Sequence, residues 1–113
     1  MNIPDIVVSQ VEWTRVLWQR IQAIRPGDQQ TLDIEFFFRA ASQPSGIALQ
    51  YFLSAETEYT SRVHAWEDEW KVSGVIPTMT VDLEMLEQWV DWMVHAGAHF
   101  SCIFDGWGAE LAD

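Results

Sequence analysis

The sequence predicts an α+β sandwich, in which helices cover one face of an antiparallel β-sheet. Residues 32–40 alternate strictly between two sides. This period of two is typical of a strand that is packed on one face and partly open on the other. Residues 59–66 and 70–78 also alternate and are joined by an acidic turn, as in a β-hairpin. The apolar side of the first segment carries Leu32, Ile34, Phe36 and Phe38.

The first half of the chain predicts a helix, the central strand and a second helix. Ser9 and Glu12 fit a capping box, so we expect the leading helix over residues 9–24, with Trp13 on its apolar face. The strand at residues 32–40 follows a polar loop. The second helix starts at residues 42–45 and ends near residue 56, with a proline tolerated in its first turn.

The second half predicts the hairpin, a third helix and a last strand. Pro77 should end strand pairing or lie at a strand margin, because proline donates no backbone hydrogen bond. Thr80 or Asp82 caps the third helix, which should stop at Gly97, since glycine suits the left-handed residue that closes many helices. The last strand should end in a turn over residues 105–108.

This order is a leading helix followed by strand–helix–strand–strand–helix–strand. Such an order gives a ferredoxin-like βαββαβ sandwich, with a four-stranded antiparallel sheet, two helices on one face and an additional N-terminal helix. We expect a single domain overall, with residues 1–31 forming a helix and loop packed on a ferredoxin-like unit of residues 32–113.

The composition restricts the class of partner. The chain of 113 residues carries 6 basic and 17 acidic residues, a net charge of −11, which disfavours direct binding of nucleic acid. It has no apolar run long enough to cross a membrane and no secretory signal, so a cytoplasmic location is expected. One cysteine excludes an internal disulfide and a cysteine-built metal site. We expect no cofactor and no metal.

Several stretches resemble the RraB family, the regulators of ribonuclease E activity B. The resemblance is sharpest in the Trp- and Met-rich helix at residues 86–95 and in the motif at the last strand, Phe104, Asp105, Gly106, Trp107 and Gly108. It implies a cytoplasmic, acidic protein that is not an enzyme and that binds the non-catalytic region of ribonuclease E, reducing RNA cleavage. The long acidic tracts of the family are reduced here to residues 67–69.

The acidic second half is the candidate binding surface for a protein partner with a basic, arginine-rich segment. Carboxylates form charge-assisted and often bidentate pairs with arginine. The alternative is that these carboxylates belong to ordinary solvated faces. The candidates are Glu67, Asp68, Glu69, Glu84, Glu87 and Asp91.

The open sheet face is a second candidate, through Phe37 and Trp66. Two arrangements are considered: the leading helix lies across this face and buries both rings, or the face is bare and binds a partner. The turn at residues 105–108 could take part in recognition, or it could be structural, with Trp107 filling the edge of the core.

Catalysis has little support in the sequence. Cys102 lies between Phe100 and Phe104 in a strand, which favours a buried, inert thiol. His95 and His99 would suit a metal only if the third helix continued through the glycine between them.

We therefore expect a regulator that inhibits or modulates ribonuclease E by masking a basic segment of its scaffold. One alternative is an acidic toxin-neutralising or other protein-interaction module with a different target. The other is a small enzyme that uses Cys102 or the histidines.

Overall fold

The computed structural model describes residues 2–112, which form three helices and a four-stranded antiparallel sheet. The segments expected from the sequence, residues 1–31 and 32–113, end at Met1 and Asp113, which lie outside the described residues. The strands lie in the order β2-β3-β1-β4, which confirms the predicted α+β sandwich and its N-terminal helix. The elements are α1 Ile3–Ile24, β1 Gln30–Ala40, α2 Gln43–Glu56, β2 Thr60–Trp66, β3 Glu69–Val81, α3 Leu83–His99 and β4 Cys102–Leu111. Within residues 2–112, no helix has both the length and the apolar character needed to span a bilayer.

Strand β1 is the centre of the sheet, as its alternating pattern predicts. It pairs with β3 on one side and with β4 on the other. Phe38 meets Phe36 and Phe104 in edge-on ring contacts. The side chains of β1 on the helical side are fully buried; they are Leu32, Ile34, Phe36 and Phe38.

Helix α1 begins well before the predicted capping box. Asn2 is its N-cap, with Oδ1 accepting a hydrogen bond from the Asp5 amide at 3.2 Å, and Pro4 lies in the first turn. Proline fits this position because it needs no backbone donor there. Ser9 and Glu12 therefore lie inside the helix, and the capping-box prediction was wrong.

Helix α1 packs on the same side of the sheet as α3, so it does not cover the open face. Trp18 and Ile21 are buried in the core, and Gln10 donates to the Phe104 carbonyl of β4. Trp13, expected in the apolar face, is 42% exposed, with the Arg20 guanidinium 5.3 Å from its ring centre. Of the two arrangements considered for the sheet, the bare face is the one present.

Strand β3 runs past Pro77 to Val81, whereas the proline was expected to end pairing or to lie at a strand margin. The register moves from Leu32 opposite Met79 to Ile34 opposite Ile76, so β3 carries an extra residue relative to β1. This β-bulge accommodates the proline, which cannot donate to the ladder. Next to it, the Thr78 amide donates a 2.8 Å hydrogen bond to the side chain of Asp33.

Gly97 does not end α3, contrary to the prediction. Asp82 caps the start of the helix by accepting from the Met85 amide, and the helix continues to His99. Gly97 instead lies against the core: a Cβ there would be 2.7 Å from Phe38 and 2.9 Å from the Cys102 carbonyl. Its lack of a side chain allows α3 to approach the sheet closely.

Candidate functional site

The three carboxylates of residues 67–69 lie at the tip of the β2–β3 hairpin. Trp66 pairs with Glu69, which leaves Glu67 and Asp68 as a two-residue loop. Glu67 has a φ of 53°, a left-handed conformation that favours glycine or asparagine in such turns. All three acidic residues are exposed. Among the described residues, their one ion pair joins Glu69 to Lys71 at 3.4 Å.

A cleft of about 490 Å³ opens beside this hairpin. Its walls include Asp68, Glu69 and Trp70 from the hairpin, together with Arg39 of β1. Arg39 is itself paired with Asp105 at 3.4 Å. The hairpin side of the cleft therefore presents two carboxylates beside an indole, which are the groups that bind a guanidinium by ion pairing and by cation–π contact.

The carboxylates of α3 form a separate group. Glu87 accepts a 2.6 Å hydrogen bond from Arg15 of α1, and this bond, with the Glu87 charge, raises the pKa of Arg15. Asp91 lies 3.3 Å from His95, an ion pair that requires a protonated imidazole. Glu87 thus joins α1 to α3, while Glu84 and Asp91 are exposed.

The fold keeps the hairpin carboxylates apart from the start of α3. The hairpin lies at one end of β3, and α3 starts just beyond the other end. Strand β3 has 13 residues, which span about 40 Å when extended. The longest dimension of the molecule is 41 Å. A compact ligand at the hairpin therefore does not reach Glu84 at the start of α3. Helix α3 runs back toward the hairpin, where Ala98 lines the cleft, so Asp91 lies nearer to the cleft than Glu84 does.

The two aromatic candidates lie on the open face of the sheet. Phe37 is 38% exposed in the middle of β1, and Trp66 is 61% exposed at the end of β2. Both rings are on the side opposite the three helices, because they alternate with residues that point toward the helices. The structure does not bring Phe37 together with the carboxylates of α3.

The motif at residues 104–108 lies within β4 and is not the terminal turn that was predicted. The register with β1 shifts at Asp105, and Gly106 has a φ of 135°, so this is a bulge inside a continuous strand. Trp107 is buried, and its Nε1 donates a 3.0 Å hydrogen bond to Thr14 Oγ1 of α1. Trp107 is therefore a structural residue, whose indole ties β4 to the N-terminal helix.

The candidates for catalysis and metal binding are separate from one another. Cys102 is fully buried, and burial raises the pKa of its thiol to about 11, so it is a protonated thiol near neutral pH. Helix α3 does continue through Gly97, which places His95 and His99 four residues apart on it. Even so, in residues 2–112 no three His, Cys, Asp or Glu side chains are arranged to hold a metal ion.

Two features of the site could not be found from sequence spacing. Trp70 was interpreted as an ordinary strand residue, but it lines the cleft beside Asp68 and Glu69. Arg15 of α1 pairs with Glu87 of α3, although the two residues are 72 positions apart in the sequence. Both contacts depend on the three-dimensional arrangement of the strands and helices.

One comparison with known proteins bears on this arrangement. The family model described as RraB, Regulator of ribonuclease activity B, matches residues 26–109. The match begins after α1 and covers β1 to β3, α2, α3 and most of β4. No curated protein shows a significant match to the chain.

Proposed function

The chain belongs to the RraB family of regulators of ribonuclease activity, and from this premise we propose that it acts by binding a basic, arginine-rich segment of a ribonuclease scaffold. The partner proposed is the non-catalytic region of ribonuclease E. The effect would be occupancy: a segment held by the regulator is not free to hold RNA or other proteins. No catalytic step by the regulator is needed.

The hairpin cleft is the observation that supports this proposal. Asp68 and Glu69 stand beside Trp70 at the cleft, and Glu67 continues the acidic surface at the hairpin tip. Of the three carboxylates, only Glu69 has a cationic partner among the described residues. Two carboxylates can therefore pair with arginines of a ligand, and the indole offers a face for stacking.

The proposed affinity requires several contacts at once. One exposed ion pair contributes less than about 1 kcal/mol. Bidentate arginine pairs and a cation–π contact add to this when they act together, and the net charge of −11 accelerates the approach of a cationic segment. Binding of this kind should be fast and strongly dependent on salt.

The experiment is a titration of a fluorescently labelled arginine-rich peptide from the scaffold region, followed by anisotropy at several salt concentrations. Reversing Glu67, Asp68 and Glu69 to lysine should weaken binding by about tenfold or more, and salt should weaken wild-type binding steeply. The control variant produces the same change in net charge by reversing three exposed carboxylates elsewhere, Asp28, Glu56 and Glu58.

The two variants separate a local site from a general charge effect. Equal loss in both variants would mean that net charge alone attracts the peptide and that the hairpin is not the site. Binding that does not change with salt would contradict the electrostatic mechanism. A ligand long enough to reach α3 should also respond to Glu84→Lys, whereas a short one should not.

A further inference from the structure

A groove on the helical side of the molecule is lined largely by apolar side chains and is separate from the hairpin cleft. This α2–α3 groove has a volume of about 350 Å³ and lies between the end of α2 and the outer side of α3. Met85 and Trp92 of α3 are 44% and 39% exposed beside it. Exposed apolar side chains that lie together often mark a surface for protein interaction. The residues that line the groove are Thr57, Tyr59, Met85, Gln88, Trp89 and Trp92.

Aromatic rings fill the space between the backbones of α2 and α3. Trp92 stacks on Phe52 of α2, with the ring centres 6.0 Å apart. Trp89 Nε1 donates a 3.1 Å hydrogen bond to the Tyr59 hydroxyl, so the polar atoms of both rings already have a partner. The groove therefore offers a ligand the faces and edges of rings, which suits apolar groups.

The outer face of α2 adds apolar surface beside the groove. Tyr51 is strongly exposed and points away from the core, whereas Phe52 lies on the flank that faces α3. At 100° per residue, Ala48 and Ala55 lie between these two rings around the helix. Residues 43–55 contain no charged side chain, although the outer face of a surface helix is ordinarily polar or charged. The apolar surface therefore continues from the groove across α2.

The charge beside this surface is negative. Glu84 and Asp91 are exposed on α3 next to Met85 and Trp92. Glu84 accepts a 3.5 Å hydrogen bond from Gln88, a residue that lines the groove. Asp91 has His95 at 3.3 Å, whereas Glu84 has no cationic partner among the described residues. Residues 40–61 and 72–113, which include all of α2 and α3, contain no Lys or Arg.

We propose that the α2–α3 groove binds an amphipathic helix of a partner protein, with large apolar side chains on one face and Lys or Arg beside them. Met85 and Trp92 are seven positions apart on α3, about 10 Å, which is also the distance between residues i and i+7 of a bound helix. Apolar anchors at this spacing enter the groove, and the flanking cations reach Glu84 and Asp91. Exposed ion pairs contribute little by themselves, so the buried anchors supply most of the affinity.

The same charges disfavour three other occupants. A second copy of this surface would bring carboxylates to carboxylates, since neither copy supplies a Lys or Arg here. Anionic lipid headgroups and nucleic acid phosphates would be repelled for the same reason. The proposed helix binds independently of the arginine-rich segment at the hairpin, because the groove selects apolar anchors and the hairpin tip carries charged residues.

The test uses a labelled synthetic helix of about 18 residues, with Leu at positions i, i+4, i+7 and i+11 and Lys at most other positions. A control peptide has the same composition, with its Leu residues spread around the helix. In anisotropy titrations the amphipathic peptide should bind at least about tenfold more tightly than the control peptide. Met85→Lys should weaken its binding by about tenfold or more, because it places a cation in the groove.

The matched control variant is Val16→Lys, which makes the same change of charge at a helical residue that is 40% exposed on α1. It should change the Kd by less than about twofold. A second measurement, in the wild-type protein, is the NMR signal of each indole N–H. The signals of Trp89 and Trp92 should shift when the amphipathic peptide is added, whereas that of Trp66 on the opposite face should not.

Four results would overturn the proposal. The first is that the amphipathic peptide does not bind, and the second is that the control peptide binds equally well, since net charge alone would then explain the attraction. The third is an equal loss of affinity in the Met85→Lys and Val16→Lys variants. The fourth is a shift confined to Trp66, which would place the peptide at the hairpin and leave the proposed function standing without a second site.

Discussion

Gly97 provides the sharpest test of how α3 meets the sheet, because two explanations of this glycine predict opposite signs. If Gly97 were only a poor helix former, Gly97→Ala would stabilise the protein by about 1 kcal/mol. The structure places the new Cβ 2.7 Å from Phe38 Cε1 and 2.9 Å from the Cys102 carbonyl oxygen. Ordinary contacts of a Cβ lie at 3.4–4 Å, so the neighbours would have to move.

Neither neighbour can move cheaply. Phe38 is fully buried among other rings, and the Cys102 oxygen belongs to the backbone of β4. Overpacking of this kind costs about 1–3 kcal/mol, and the upper part of that range applies here. After the gain in helix propensity, we expect a net loss of about 2 kcal/mol, or a Tm lower by roughly 8 °C.

The assay is urea unfolding followed by circular dichroism, with a second glycine as the control. A Cβ added at Gly108 of β4 would have no other heavy atom within 4 Å, so Gly108→Ala should change the free energy of unfolding by less than about 0.5 kcal/mol. A Gly97→Ala protein as stable as wild type, or more stable, would refute the close packing of α3 on Phe38.

Two further predictions concern the core. Trp107→Phe and Thr14→Val each remove one partner of the buried 3.0 Å hydrogen bond. A double-mutant cycle of unfolding in urea should therefore show a coupling free energy of roughly 1 kcal/mol between the two positions. Additive losses of stability would mean that the bond does not hold α1 to β4. The pKa of the Cys102 thiol is raised to about 11, against 9.0 for the ordinary thiol. The native state therefore keeps the thiol proton up to a higher pH than the unfolded chain does. Its contribution to stability is complete below pH 9 and is lost as the pH rises through 11, by up to roughly 3 kcal/mol. The free energy of unfolding of the Cys102→Ala variant should therefore fall less between pH 9 and pH 11 than that of the wild type. The same dependence on pH in both proteins would contradict the raised pKa of the Cys102 thiol.

The elements that follow a simple period were predictable from the sequence, whereas the exceptions come from tertiary contacts. The alternation around Phe36 identified the central strand because that strand has one buried face. Ser9 and Glu12 matched a capping box by spacing alone, while Asn2 and Pro4 supplied an earlier start. Local patterns do not show which of two possible caps the chain uses.

The candidate site was predictable in part. The acidic run at residues 67–69 is visible in the sequence, and the hairpin exposes it. Its distance from Glu84 could not be predicted, because it depends on the length of β3 beyond Pro77. The place of Trp70 in the cleft likewise depends on the neighbouring strand β1.

The most direct test of the proposed function is RNA cleavage by ribonuclease E with and without its non-catalytic region, with this protein titrated into each reaction. We expect cleavage to slow only for the enzyme that carries the region, and the combined reversal of Glu67, Asp68 and Glu69 to restore the rate. Equal inhibition of both enzymes, or full inhibition by the reversed variant, would contradict the masking of a basic segment by the hairpin.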